Sequence, residues 1–321
     1  LHSTYFHQFV QNCLQINRGD GTFNETAFYS GVAATDWSWG ALFFDMDQDG
    51  KKDIFVSNGV YQDITDRDFT DFLADKEAVK KVVQNKGRYD FRDFEEFLPK
   101  NSQKNYAFIN AGFSKAGGPV KFDNKASLLG LDQEGFSNGS AYGDLDNDGD
   151  YDLVVNNVNM PCFIYQNNTD HSKAKFLKLK LEGSAFNKKA IGTQVTIYHD
   201  GSLQTMEVMP ARGFQSSVDP DLIFGLGDWD KIDSLVVVWP DLKKQILTNG
   251  LTANSTLTLR YTEGNIKWNA SNYPSKQPFE KGSFLNPPFH QHENIYNDFD
   301  RDRLMPHMLS ADNPKFVIGD V

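Results

Sequence analysis

Two nine-residue stretches of the chain have the same acidic pattern: Asp45-Met-Asp-Gln-Asp-Gly-Lys-Lys-Asp53 (loop 1) and Asp144-Leu-Asp-Asn-Asp-Gly-Asp-Tyr-Asp152 (loop 2). In both loops aspartates occupy positions 1, 3, 5 and 9, and glycine occupies position 6. Four carboxylates in so short a turn repel one another unless a cation lies between them. Hard oxygen ligands in a flexible loop suit Ca²⁺, which takes about 6–8 of them.

The sequence therefore predicts two calcium sites, each built from local residues. The predicted ligands are the side chains of Asp45, Asp47, Asp49, Asp53, Asp144, Asp146, Asp148 and Asp152, and the backbone carbonyls of Lys51 and Asp150 at position 7. An EF-hand requires a bidentate Glu at position 12, but that position is Val56 or Val155, and the flanking residues are strand-like. Because the ligand sets are local, we expect calcium to be structural rather than to bridge a bound ligand.

The acidic loops belong to an internal repeat, because residues 23–58 and 122–157 align without a gap. A related strand precedes each unit, at residues 12–17 and 105–110, and a third version follows at residues 162–167. Each unit predicts four short strands, which is typical of a β-propeller blade.

A helical insertion is predicted between the two units, over about residues 61–104. Apolar residues fall at helical spacing across residues 66–84 and 91–98. We expect these helices to pack on the rim of the propeller, and a partner-binding lid is the alternative.

The second half of the chain has a different pattern. Strand-like alternation, as in Phe176-Leu-Lys-Leu-Lys-Leu181, recurs between turn residues up to residue 261 and predicts a β-sandwich. The predicted organisation is a mainly β protein: propeller blades over 1–170, the sandwich over 171–262, an irregular connection over 263–311 and the start of another blade over 312–321. Asp320 would open a third calcium loop if the chain continues. Since a propeller has about 4–8 blades, we expect the chain to be part of a longer polypeptide.

Composition excludes several classes of protein. With 32 Lys+Arg against 43 Asp+Glu, the net charge is −11, which argues against nucleic-acid binding. No apolar stretch approaches the roughly 20 residues of a membrane-spanning helix. Eight of the acids are predicted side-chain ligands in the two loops, so the acidity mostly reflects metal ligands. Cys13 and Cys162 are predicted to be buried thiols, with a single disulfide as the alternative.

The acidic loops and the turn Asn17-Arg-Gly-Asp-Gly-Thr-Phe23 resemble the FG-GAP (VCBS) repeats of calcium-binding β-propellers. The second half resembles the ASPIC/UnbV domain, through Ile191-Gly-Thr-Gln-Val195, Phe224-Gly-Leu-Gly-Asp228 and Val236-Val-Val-Trp-Pro-Asp241. Together they are similar to the cartilage acidic protein family and its bacterial surface lipoprotein relatives. The resemblance implies an extracytoplasmic protein, secreted or at a cell surface, and anchored to the outer membrane if bacterial. Any lipid anchor would lie outside this segment.

We therefore expect a non-catalytic, calcium-stabilised scaffold that binds a protein or carbohydrate partner. The alternatives are a polysaccharide lyase-like propeller enzyme and an accessory subunit of an outer-membrane complex. No catalytic motif such as Gly-x-Ser-x-Gly or a phosphate-binding loop occurs in the sequence.

Three further patterns have ordinary explanations. We expect Trp37, Trp39 and Phe136 to pack between blades rather than to form a sugar-binding platform. The tripeptide Arg18-Gly19-Asp20 is expected to be part of a turn rather than an integrin ligand, and His290, His292 and Glu293 are weak candidates for a zinc site.

Overall fold

The computed structural model describes residues 11–83, 98–113 and 118–261, which all belong to one compact unit, residues 1–268. Four of the predictions lie outside the described residues: the connection over 263–311, the blade start that contains Asp320, the histidine pair His290 and His292 with Glu293, and residues 91–97 of the second helix.

The N-terminal part of the described chain is built from short antiparallel strands. These are β1 (Gln15–Asn17), β2 (Phe23–Glu25), β3 (Ser38–Phe44), β4 (Asp53–Asn58), β5 (Gln103–Lys104), β6 (Tyr106–Phe113), β7 (Val120–Asn124), β8 (Glu134–Gly135), β9 (Ser137–Gly143), β10 (Asp152–Asn157) and β11 (Phe163–Tyr165). They form the hairpin β1-β2, a four-stranded sheet β3-β4-β6-β7, a three-stranded sheet β9-β10-β11 and the short pair β5-β8.

The sheets are out of phase with the sequence repeat. In the first repeat, β1 and β2 are followed by β3 and β4, which flank loop 1. The pair β1-β2 and the pair β3-β4 nevertheless belong to different sheets. The four-stranded sheet takes β3 and β4 from the first unit and β6 and β7 from the second. Each acidic loop is therefore the first hairpin connection of its sheet.

The four-stranded sheet contributes side chains to a hydrophobic core on each of its two faces. Successive side chains of a strand point to opposite sides of the sheet. On β4, Ile54 and Val56 pack with Leu14 and Phe122 on one face. Phe55 belongs to a second core on the other face, which it shares with strands β9 and β10. The sheets therefore stack face to face, and the acidic loops emerge at one end of the stack.

Along the chain, the helical insertion lies between β4 and β6, which are the second and third strands of the four-stranded sheet. It contains α2 (Arg67–Ala74) and α3 (Lys76–Val83), whereas the short helix α1 (Ala27–Ser30) follows β2. Val60 and Asn101, at the two ends of the insertion, are joined by paired backbone hydrogen bonds of 2.9 Å. Among the described residues, no helix has the length and apolar character needed to span a bilayer.

The C-terminal part consists of two facing sheets. Its strands are β12 (Lys175–Glu182), β13 (Gln194–His199), β14 (Ser202–Glu207), β15 (Leu222–Gly227), β16 (Ser234–Val238), β17 (Lys244–Leu247) and β18 (Ser255–Arg260). The sheet β15-β12-β18 packs against the sheet β14-β13-β16-β17 through a common core around Leu177, Leu179 and Trp239. We call this pair of sheets the sandwich.

The cysteine prediction is wrong, because both thiols are free and exposed. Cys13 and Cys162 each directly precede a buried apolar residue, Leu14 and Phe163. These larger neighbours enter the core, and the thiols are left on the solvent side.

Candidate functional site

In each acidic loop, three of the predicted carboxylates converge. Single carboxylate oxygens of Asp45, Asp47 and Asp53 lie within 4.8 Å of one another. The equivalent residues of loop 2, Asp144, Asp146 and Asp152, meet the same limit. The loops join β3 to β4 and β9 to β10, so their flanks are strands and not the helices of an EF-hand.

The backbone folds both loops in the same way. Positions 4 and 6 adopt positive φ in each, with values of 58° and 87° in loop 1 and 64° and 104° in loop 2. Glycine at position 6 adopts this conformation without steric penalty. The N–H of position 2 donates to the carboxylate of position 9, and the glycine N–H donates to the carboxylate of position 1. These bonds are Met46 to Asp53 (2.8 Å), Leu145 to Asp152 (2.8 Å), Gly50 to Asp45 (2.9 Å) and Gly149 to Asp144 (3.1 Å).

The carboxylates at position 1 indicate whether a cation fits these loops. Oδ1 of Asp45 and Oδ1 of Asp144 are buried and have no hydrogen-bond partner among the described residues. An unpaired buried carboxylate oxygen is unfavourable. Its proximity to two more carboxylates makes a bound cation the natural partner, and an all-oxygen ligand set fits Ca²⁺.

The ionisation of loop 1 is strongly perturbed in the metal-free state. Burial, with repulsion from Asp53, raises the pKa of Asp45 to about 8. Burial also raises the pKa of Asp53 to about 7, and it raises the pKa of Asp47 above its usual value. Since the carboxylates must be ionised to bind a metal, calcium and protons compete for this loop.

Two asparagines that sequence analysis did not select hold the position-9 carboxylates in place. The backbone N–H of Asn110 donates to Asp53 Oδ1 at 2.8 Å, and that of Asn167 donates to Asp152 Oδ1 at 2.9 Å. Both residues end the related sequence segments 105–110 and 162–167, although β6 continues past Asn110 to Phe113. Because Asn recurs at the last position of these segments, the sequence alone could have identified both residues.

The predicted side-chain ligands at position 5 do not belong to these clusters of three. In loop 1, Asp49 forms an ion pair with Lys51. In loop 2, Asp148 lies instead with Asp150 and His171, a group whose ligand atoms are also within 4.8 Å of one another. Burial raises the pKa of Asp150 to about 7.

The sandwich packs directly on the acidic loops. The ammonium group of Lys178 on β12 lies 2.6 Å from Asp144 Oδ2, and both side chains are almost fully buried. This ion pair leaves Asp144 Oδ1 free to take a metal. On β15, Gly225 approaches loop 1 so closely that a Cβ would lie 2.1 Å from Asp45 Oδ2. The Gly227 N–H then donates to the carbonyl of Gln48 at 2.8 Å.

Comparison with known families is consistent with this two-part structure. Residues 183–266 match the family model described as ASPIC and UnbV, and residues 8–56 match that of the FG-GAP-like repeat. The two matches cover different parts of the chain, and each covers less than half of it. The resemblance found in the sequence is therefore confirmed.

The chain is also similar to cartilage acidic protein 1 of Homo sapiens and of Mus musculus, with 25% identity over 255 residues in each case. The matched region covers 72% of this chain, but 37% of the human protein and 38% of the mouse protein. The chain thus spans less than two fifths of the length of these relatives.

The family matches leave part of the contact region uncovered. Gly225 lies in the ASPIC and UnbV match, and its lack of a side chain lets that domain approach loop 1. Lys178 lies before the match begins, and loop 2 lies outside both matches. Loop 2 is related to the FG-GAP-like repeat through its internal similarity to loop 1.

The structure tests two further predictions. The prediction that Trp37, Trp39 and Phe136 pack between blades is wrong for Trp37, which is exposed. Trp39 packs against Phe214 of the C-terminal part, rather than against another blade, at a centroid distance of 5.1 Å, and its indole N–H donates to the Gly59 carbonyl. In the turn of the FG-GAP-like repeat, Asp20 accepts hydrogen bonds from the backbone and hydroxyl of Thr22. These contacts give Trp39 and Asp20 structural roles.

Proposed function

We propose that this chain is a non-catalytic, extracytoplasmic scaffold in which calcium stabilises β-propeller blades and their contact with the ASPIC and UnbV domain. The observation that carries the proposal is the shared geometry of the two loops. Each gathers three carboxylates and leaves one buried carboxylate oxygen without a partner among the described residues. Bound calcium would neutralise these charges.

The ligand assignment follows from this geometry. The three convergent carboxylates of each loop would hold the ion: Asp45, Asp47 and Asp53, and Asp144, Asp146 and Asp152. We assign the side chains of Asp49 and Asp148, and the carbonyls of Lys51 and Asp150, to the remaining positions by the spacing of the motif.

The propeller assignment is supported by three features of the N-terminal part. Its complete sheet has four antiparallel strands, neighbouring sheets stack face to face, and the four-stranded sheet combines strands from consecutive repeat units. Radial repetition of four-stranded sheets is the architecture of a propeller. The FG-GAP-like repeat match supports the same assignment.

An extracytoplasmic location is supported by the need for calcium and by the similarity to cartilage acidic protein 1. We propose that the partner is a protein or a carbohydrate. An open cavity of about 520 Å³ beside loop 1 favours a carbohydrate, because it combines the ring of Tyr165 with the amides of Gln166 and Asn168. Such a lining offers both a stacking surface and hydrogen bonds to hydroxyl groups.

Calcium dependence is tested by replacing one ligand in each loop. We expect Asp47→Ala with Asp146→Ala to lower the melting temperature in calcium and to remove most of the difference between calcium and EGTA. The matched control is Asp71→Ala with Asp123→Ala, which removes the same charge from exposed positions. Unchanged melting of the loop variant in both conditions would refute the calcium assignment.

Carbohydrate binding is tested with the full chain on an array of polysaccharides. We expect Tyr165→Ala to weaken binding by about tenfold, because stacking on an aromatic ring is lost. Tyr29→Ala is the control, since Tyr29 is an exposed tyrosine outside this cavity. Equal weakening by both variants, or binding that neither variant alters, would contradict a site at the cavity.

A further inference from the structure

A third cluster of ligand atoms lies where loop 1, loop 2 and the segment before β12 meet. It consists of Asp148, Asp150 and His171. The Asp150 side chain is fully buried, and His171 Nε2 lies 3.8 Å from Asp150 Oδ2. That separation is too long for a hydrogen bond, so the imidazole and the carboxylate face each other without bonding.

The protonation of His171 follows from its other ring nitrogen. Nδ1 faces two acceptors, Gln48 Oε1 at 3.1 Å and the Ala174 carbonyl at 3.3 Å. The orientation of the Gln48 amide is set because its Nε2 donates to the Gly149 carbonyl at 2.7 Å. Nδ1 therefore carries the proton, and in the neutral imidazole Nε2 carries a lone pair.

Two atoms of this cluster are buried and have no hydrogen-bond partner among the described residues: His171 Nε2 and Asp150 Oδ1. A lone pair directed at carboxylates in a buried position is unfavourable unless a cation lies between them. A histidine that donates one ring N–H to a carbonyl and offers the other nitrogen is the usual arrangement of a metal ligand.

We propose that His171, Asp150 and Asp148 bind a divalent transition-metal ion of the Zn²⁺ class, at a site adjacent to the calcium site of loop 2. The imidazole nitrogen decides the metal class, because it suits Zn²⁺, Co²⁺ or Ni²⁺, whereas Ca²⁺ prefers oxygen ligands. The His171 imidazole and the Asp150 carboxylate are specific to this site, whereas the Asp148 carboxylate is shared with the calcium site proposed for loop 2.

A metal at this site would connect loop 2 to the segment that leads into the sandwich. The His171 carbonyl accepts a hydrogen bond from the Asn254 amide at 3.0 Å, and the ring packs edge-on against Phe176 on β12. A metal bound to His171 and Asp150 therefore cross-links loop 2 to the segment that enters the sandwich.

The test uses the full chain in saturating calcium, so that the calcium loops are filled before zinc is added. We expect titration calorimetry with zinc chloride to show one zinc site that involves His171. His171→Ala and Asp150→Asn should each weaken zinc binding at least about tenfold. Zinc-edge X-ray absorption should show imidazole scattering that disappears in His171→Ala.

Two controls separate this site from other histidines. His199→Ala removes an imidazole that stacks on Trp229, with ring centroids 4.1 Å apart, and should leave zinc affinity unchanged. His290→Ala with His292→Ala should do the same. Asp150→Asn keeps the size of the side chain and serves if His171→Ala does not fold.

Three outcomes would overturn the proposal. They are zinc binding that saturating calcium abolishes, zinc affinity that neither His171→Ala nor Asp150→Asn changes, and an absorption spectrum without an imidazole ligand. The first would assign zinc to the calcium loops, so a failure here is distinct from a failure of the calcium assignment.

Discussion

Lys178 shows how a single residue connects the sandwich to an acidic loop. Its strand alternates between apolar and lysine side chains, and Leu177 and Leu179 enter the core of the sandwich. The opposite face of β12 is covered by loop 2, so Lys178 is 3% exposed and paired with Asp144. Such a pair is strongly destabilising when one partner is removed, because the other charge stays buried and uncompensated.

We therefore expect Lys178→Met to lower the free energy of unfolding by about 3–5 kcal/mol. Lys180→Met is the matched control, because Lys180 lies on the same strand but is half exposed, 3.7 Å from Asp221. Its substitution should change stability by about 1 kcal/mol or less. Urea unfolding of the calcium-free protein measures both, because bound calcium would otherwise compensate the Asp144 charge, and equal losses would contradict the buried role of Lys178.

At the scale of elements, the sequence predicted the parts that local chemistry determines. The acidic loops, their flanking strands and the helical spacing over residues 66–84 follow from residue type and period. The partition of strands into sheets does not, because β4 pairs with β6 across the whole insertion. Local patterns also cannot show that Gly225 faces Asp45, since that contact joins positions far apart in the chain.

Loop 1 should make the stability of the calcium-free protein depend on pH. The pKa of Asp45 is raised to about 8 and that of Asp53 to about 7 by burial, whereas an unfolded aspartate titrates near about 3.9. Between these values the folded state retains protons that the unfolded state has lost. The contribution of these two carboxylates to stability is therefore greatest at low pH and is lost as pH rises through their folded-state pKa values.

We expect the melting temperature of calcium-free protein, prepared with a chelating resin, to fall as the pH rises from about 5 to about 8. Calcium should reverse this trend, because it binds the ionised carboxylates. Asp45→Asn removes one of the titrating groups and should flatten the calcium-free profile. A calcium-free profile that is flat in the unsubstituted chain would show that the loop 1 carboxylates are not protonated.

At the scale of the molecule, the repeats and the sandwich share a hydrophobic core. Phe176, Val218 and Ile223 of the C-terminal part belong to the same buried cluster as Phe44 and Tyr151 of the repeats. The acidic loops lie at the edge of this shared core, against β12 and β15. A change in the loops should therefore reach the sandwich.

We expect removal of calcium to increase hydrogen–deuterium exchange in β12 and β15 as well as in loops 1 and 2. The reason is that repulsion among the loop carboxylates loosens the surface on which Lys178 and Gly225 pack. Exchange in β17 should stay unchanged, since this strand pairs with β16 in the other sheet of the sandwich. The double variant Asp47→Ala with Asp146→Ala should show weaker coupling to calcium in the same peptides. Protection that is lost in the loops alone would mean that the sandwich does not depend on the calcium loops.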